Sequence, residues 1–379
     1  MKSFNLLLLM SQLLSTAALA ATVSFDDAKV GEAPAGWAAT KTGSGQAKWT
    51  VVAHDSAPSK PNVLKQSGEA TYPVSLKLAK TIPLPGVKGR FDHFAADVKG
   101  HRLFVAALGN DTLEIVDVSA GKHLHSITGL NKPTGVIYYY ATNEIGVANG
   151  DDGAFKIFNG ASYAPARKLG SLDDADNVRF DVKSGLTYVG YGSGALAVVE
   201  TGTMKLGSSI LLAAHPESFQ LEKAGSRIFV NVPDAKQVAV VDREKQTVIA
   251  TWPMTKFQAN FPMALDEANH RLFVGCRQPA RLIVFDTISG KPVRDLAISG
   301  DTDDLFYDAN RKRVYVSCGE GFVDVVQQRN ADSYQLRERI PTRAGARTSF
   351  FSTEMGEFYV AVPLRGAQKA EIRVFQPQN

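Results

Sequence analysis

The sequence predicts an all-β fold: a seven-bladed β-propeller of four-stranded blades, its last blade completed by a strand from the N-terminal side. Three observations predict it. Short alternating strands recur with a period near forty residues, the pattern of propeller blades. The apolar residue closing each second strand returns at Val105, Val147, Val189, Val230, Val274, Val316 and Val360, a mean spacing of 42.5 residues over six steps. The chain ends at VFQPQN, after the third strand of its last repeat, while an orphan strand stands before the first repeat at Leu76 to Leu84.

In chain order, the first segment is MKSFNLLLLMSQLLSTAALA, one cation followed by an apolar run and Ala18-Leu19-Ala20. It reads as a signal peptide over residues 1–20, cleaved after Ala20 and too short for a membrane span. No later stretch approaches eighteen apolar residues. A periplasmic or secreted protein is therefore expected. The formal net charge of +4 becomes +3 once Lys2 is removed, with no run of like charges, so a polyanion partner has only weak support.

Residues 21–73 form a distinct Gly/Pro/Ser-rich piece carrying Trp37 and Trp49. The text SFDDAKVGEAPAGWAATKTGSGQAKWTVV resembles the opening of laminin-G-like jelly-roll modules. Such a module needs eight strands to bury its core, more than this segment can supply, so it reads as a truncated jelly-roll-like extension or a partly disordered arm. The propeller is expected over 74–379.

Within each repeat the first strand is short and apolar (FAAD, VRFD, FQLE, MALD, LFYD) and the second alternates (RLFVA, LTYVG, RIFVN, RLFVG, RVYVS). Period-two patterning with β-branched and aromatic residues is the strand signal. Gly109-Asn110-Asp111, Gly150-Asp151-Asp152-Gly153 and Gly190-Tyr191-Gly192-Ser193-Gly194 supply turns. Asp117, Asn159, Asp242 and Asp286 end third strands, where a side-chain oxygen caps the next turn. Tyr138, Tyr139 and Tyr140 fall in the second blade, where core packing is the expected role. Cys276 and Cys318 hold the same register in adjacent repeats, so they face the same way. Two buried free thiols are expected, with a disulfide as the alternative and a metal pair without supporting motif.

In DHFAADVKGHRLFVAALGNDTLEIVDVSAGK and PMALDEANHRLFVGCRQPARLIVFDTISGK the chain resembles the YncE-like, YVTN-repeat propellers of exported bacterial proteins, over about 74–379. The resemblance implies a seven-bladed ring used mostly for binding. Similar rings occur in lactonases, lyases and redox enzymes, so it names no reaction.

In such rings the first strand starts at the channel mouth. Aligned repeats place seven residue pairs there: Asp92-His93, Thr134-Gly135, Asp176-Asn177, Glu217-Ser218, Phe261-Pro262, Asp303-Asp304 and Arg347-Thr348. Five pairs carry a charge where a structural strand would hold Val or Ala. His93, tuned by Asp92, is the candidate catalytic base or ligand-orienting group. Asp92, Asp176, Glu217, Asp303 and Asp304 are candidate oxygen ligands for a hard cation such as Ca²⁺, with Asp92, Asp176 and Asp304 foremost. Arg90, Arg343 and Arg347 are candidate anion anchors, and His215 is a candidate second histidine. Each has a plainer reading as a solvated, paired or turn-capping residue.

The sequence carries no GxSxG elbow, P-loop, CxxCH site or EF-hand loop, and no motif implies a cofactor. The expected function is a binding module presenting the mouth, including Asn177 and Ser218, to a small ligand or protein partner without turnover. A lactonase- or lyase-type enzyme using His93 and the mouth carboxylates is the alternative, and polyanion binding on the ring face is a third.

Overall fold

The structure, a computed structural model, describes residues 24–37, 48–55, 61–67 and 74–379. The expected signal peptide and its cleavage point lie outside the described residues. The chain divides into two compact units, Met1–Pro73 and Val74–Asn379. Among the described residues no helix is long and apolar enough to cross a membrane.

In the first unit, Trp49–Ala53 pairs antiparallel with Asn62–Gln66. Asn62 ties the preceding loop down by donating its amide to the carbonyls of Phe25, Asp26 and Ala28. Phe25 and Trp37 meet edge to face at 5.6 Å.

The second unit is seven antiparallel sheets of four strands, each following chain order from the inside outward with one exception. Blade 1 is Phe94–Asp97, Arg102–Ala107, Thr112–Asp117 and Lys122–Ile127; blade 3 is Val178–Asp181, Leu186–Tyr191, Ala195–Glu200 and Lys205–Leu211. The exception is blade 7. Its inner three strands are Thr348–Ser352, Glu357–Val362 and Glu371–Pro377, and its outer strand is Leu76–Pro83, paired from Leu76 with Pro377 to Pro83 with Glu371. The orphan strand thus closes the ring as expected, and both ends of the propeller are hydrogen-bonded into one sheet.

The sequence period is also the packing period. All seven second-strand valines are fully buried at 0% exposure, each in an apolar layer against a neighbouring blade. Their cross-strand partners are Phe94, Val136, Val178, Phe219, Met263, Leu305 and Ser349, in each blade the residue following the mouth pair. The seven pairs are therefore equivalent positions in space.

The turn residues act locally. Asp117, Asn159, Asp242 and Asp286 each accept bonds at Oδ1 from backbone N–H groups two or three residues on, including Ala120, Ser162, Lys245 and Ser289. The glycines of 190–194 end one strand and open a hairpin to the next. Tyr139 is core, Tyr138 is half-buried and Tyr140 is exposed. Cys276 and Cys318 are free, buried thiols, and burial pushes Cys276 up to about 12.

Candidate functional site

In six of the seven blades the first strand enters its sheet through an irregularity, and blade 7 alone pairs in continuous register from Thr348. In blade 1, Asp92 N–H donates to the Ala106 carbonyl while Ala106 N–H donates to that of His93, so two residues stand opposite one. Blade 3 repeats this with Asp176 and Asn177 around Gly190, and blade 4 with Glu217 and Ser218 around Asn231. In blades 2, 5 and 6 the register shifts at Pro133/Val136, Asn260/Met263 and Thr302/Asp304. A bulge of this kind re-aims side chains that a regular strand would send to opposite faces.

The result is one cavity of about 200 Å³ at the channel mouth, to which every blade contributes. Asp92, His93, Thr134, Asp176, Asn177, Glu217, Ser218, Phe261, Asp303, Asp304, Arg347 and Thr348 line it, as do Arg90 and His215. Of the mouth pairs only Gly135 and Pro262 are missing from the lining. Arg343 is exposed and outside the cavity, because it lies four residues ahead of the mouth position rather than two. Below the mouth, His93 and Asp304 also line a channel cavity of about 470 Å³ together with Arg179, Gln220 and Tyr307.

Three charged lining residues escape the sequence reading: Lys132, Asp174 and Arg277. Lys132 and Asp174 stand two residues before their pairs, as Arg90 and His215 do. Extending the repeat alignment by two positions would have found them. Arg277 comes from the second strand of blade 5, Arg271–Gln278, which runs two residues longer than most of its counterparts. Its guanidinium sits 3.9 Å from the centre of the Phe261 ring.

Two kinds of environment share the cavity. On the side of blades 5 to 7, acids are clamped by arginines. Asp303 pairs with Arg277 and, at 2.9 Å, with Arg347, which also holds Asp301 at 2.6 Å. Asp304 accepts the Ser349 N–H at 2.8 Å. Burial still pushes Asp303 upward against both arginines, and pushes Asp304 up to about 7 despite His93 and the Ser349 bond.

On the side of blades 3 and 4, partners are loose. His215 Nε2 lies 3.8 Å from Asp176, its Nδ1 lies 3.8 Å from Asp174, and the Glu217 carboxylate has no hydrogen bond or ion pair among the described residues. Asp176 Oδ1 and Asn177 Oδ1 are buried without hydrogen-bond partners, and Asn177 is only 1% exposed. Burial and the charges of Asp176 and Asp303 drive Glu217 up to about 8. The Asp176 carboxylate, against the cost of burial, raises His215 to about 9.

His93 stands between these sides, its Nδ1 2.7 Å from Asp92 Oδ1. Burial disfavours its charge, but Asp92, with Asp304 and Asp176 behind it, outweighs burial and raises its pKa to about 10. Burial also pushes Asp92 upward, yet His93, Arg90 and Arg347 hold it below the usual carboxylate range. An imidazolium at neutral pH has no lone pair to accept a proton. Of the two roles the sequence offers His93, general base or ligand-orienting group, a raised pKa suits the second, in which the ring donates a bond or neutralises an anion.

The five acids named for a hard cation do not gather into one oxygen cage. Ligating atoms converge in two triples instead, Asp92–His93–Asp176 and Asp176–His215–Glu217, each with its atoms within 4.8 Å of one another. Asp176 belongs to both and Asp304 to neither. A serine, a histidine and a glutamate also meet outside the mouth, in blade 1. There Ser126 at 3.3 Å and Glu114 at 2.6 Å both face Nε2 of His123, so the ring cannot relay a proton between them, and the cluster satisfies the fully buried Glu114.

Seven four-stranded antiparallel sheets, each giving an equivalent residue pair to the channel mouth, place the chain among the seven-bladed β-propellers. No family model and no curated protein matches the sequence. Among solved structures it is similar to a chain of the "Crystal Structure of Mitotic Checkpoint Complex", with TM-score 0.69 and 12% identity, covering 87% of this chain and 99% of that one. It is also similar to a chain of "Kuenenia stuttgartiensis Hydrazine Synthase", with TM-score 0.64 and 14% identity over 75% and 99% of the two chains. Both likenesses are of fold.

Proposed function

We propose that this protein is an exported propeller of the YncE-like kind that binds a small polar ligand in the mouth cavity without turning it over. One observation carries the reading. Residues from all seven strand entries, six of them irregular, meet in a single cavity, five of the seven mouth pairs carrying charge at positions where a purely structural ring would place apolar residues, and Asp176 and Asn177 keep unpartnered oxygens there. Buried polar atoms are costly unless satisfied, so oxygens left over at a cavity wall favour a ligand that satisfies them. The volume corresponds to roughly seven waters of liquid, which suits a small molecule or a hydrated ion rather than a polymer. The crowd of carboxylates at the mouth disfavours a polyanion there. Binding is favoured over general-base catalysis because His93 and His215 both hold protons at neutral pH.

Thermal shift against diamines, amino acids, dicarboxylates and lactones tests the reading. Stabilisation by one class, lost in Asn177→Ala, is expected; no shift from any class, or a shift indifferent to Asn177, would refute it.

A second reading has its own observation. Glu217 and Asp304, raised to about 8 and about 7, can exchange protons near neutral pH, and such groups cluster in active sites. That lactonase- or lyase-type reading requires product to accumulate when the stabilising ligand is incubated with the protein, and Glu217→Gln to stop it.

A further inference from the structure

We propose that the blade 3 and blade 4 side of the mouth is a site for a divalent first-row transition metal, bound by Asp176, His215 and Glu217. The inference rests on the reading of the mouth as a ligand site and specifies what part of it binds. Donor geometry comes first. Two ligands about 2.1 Å from one ion lie at most ~4.2 Å apart. Here one donor atom from each of the three side chains lies within 4.8 Å of the others, so roughly half an ångström of side-chain movement completes the set.

The second argument is the orientation of His215. Its Nδ1 lies 2.7 Å from the Gly192 carbonyl oxygen, which can only accept, so Nδ1 carries the hydrogen. That contact fixes the ring and turns Nε2 toward Asp176, and a metal bound at Nε2 displaces its proton to solvent. A backbone carbonyl holding one imidazole nitrogen while the other faces a carboxylate is the arrangement by which proteins position metal-binding histidines. Pro216 follows directly and restricts the backbone of His215.

The third is unsatisfied oxygen. Asn177, next to Asp176 and almost wholly buried, lines the same cavity with its Oδ1 unpartnered, and so does the buried Oδ1 of Asp176. A cation would satisfy both, directly or through its own water. A mixed set of one imidazole and two carboxylates selects Zn²⁺ or Mn²⁺ over Ca²⁺, which prefers oxygen alone. The other triple is a poorer host, because Asp92 and His93 already pair their charges at 2.7 Å, although His93 Nδ1 is outside hydrogen-bond geometry there.

The test uses tag-free mature protein stripped with chelator and titrated calorimetrically with ZnCl₂ and with MnCl₂. One equivalent is expected to bind, with affinity reduced at least tenfold in His215→Ala and in Asp176→Asn and changed less than threefold in His93→Gln. Asp176→Asn preserves size, so it decides the matter even if His215→Ala fails to fold. No saturable binding by the wild type, or loss in His93→Gln with retention in His215→Ala, would overturn the inference. A protein that ignores both metals yet is stabilised by a small organic ligand through Asn177 would lose the metal and keep the ligand reading. Metal binding with no organic ligand would do the opposite.

Discussion

The two sides of the mouth hold the same kinds of residue and treat them differently. Toward blades 6 and 7, Arg347 reaches both Asp301 and Asp303, and a backbone N–H fixes Asp304. Toward blades 3 and 4, Asp176 and Glu217 make no side-chain hydrogen bond among the described residues, and His215 stands 3.8 Å from Asp176. Charge already neutralised contributes to holding the ring together, whereas charge left open is poised for something that arrives from solution. The difference shows that polarity alone does not mark a binding site; unmet polarity does.

Four changes would break or sharpen that contrast. The largest effect is expected from Arg347→Ala, which removes one of the two guanidiniums that hold Asp301 and Asp303 and leaves both to Arg277. Breaking a buried pair costs about 3–5 kcal/mol, and partial exposure reduces this to about 2 kcal/mol, read from urea midpoints at pH 8. A loss below about 0.5 kcal/mol would mean that this side is not clamped.

Asp304 predicts a pH dependence of about 1 kcal/mol after screening. Its folded pKa, about 7, lies above its unfolded value near 3.9, so it holds its proton more tightly when folded. Its contribution is full below the unfolded value and lost as pH rises through 7. Wild-type stability minus that of Asp304→Asn should therefore fall across this window, and a flat difference would contradict the assignment.

On the open side, Asp176→Asn should change metal-free stability by less than about 0.5 kcal/mol, since the attraction it loses to His215 is offset by the repulsion it relieves at Glu217, while removing ligand binding. A large destabilisation would show that Asp176 is structural after all. The smallest effect is expected at the rim. Lys132 lies 3.4 Å from Asp174 and is over a third exposed, so Lys132→Ala should cost no more than about 0.5 kcal/mol, vanishing in 1 M salt.

Much of this architecture is legible in the sequence because it repeats. Seven valines at one spacing, most of them preceded by an aromatic residue, locate the seams, and an unmatched strand at Leu76 with a missing one after VFQPQN locates the closure. The mouth pairs are legible for the same reason, being two residues that break the apolar strand at a constant position. What escapes is whatever depends on a partner from another blade. Arg277 joins the mouth only because its strand overruns by two residues beside Asp303, and no periodicity records that. Arg343 and Arg347 look alike in the text, yet only the second falls at the mouth position of its repeat. Nor does sequence distinguish the paired Asp303 from the unpaired Glu217, because pairing is settled by distances between blades. The protonation of His93 is invisible for the same cause: it follows from Asp92, Asp304 and Asp176 converging from three blades.

The most direct test of the account is anomalous diffraction from crystals of the mature protein grown with MnCl₂ or ZnCl₂. The account predicts one strong peak between Asp176, His215 and Glu217, about 2.1 Å from their donor atoms. A peak centred on Asp92 and His93, or none in the mouth at full occupancy elsewhere, would contradict it.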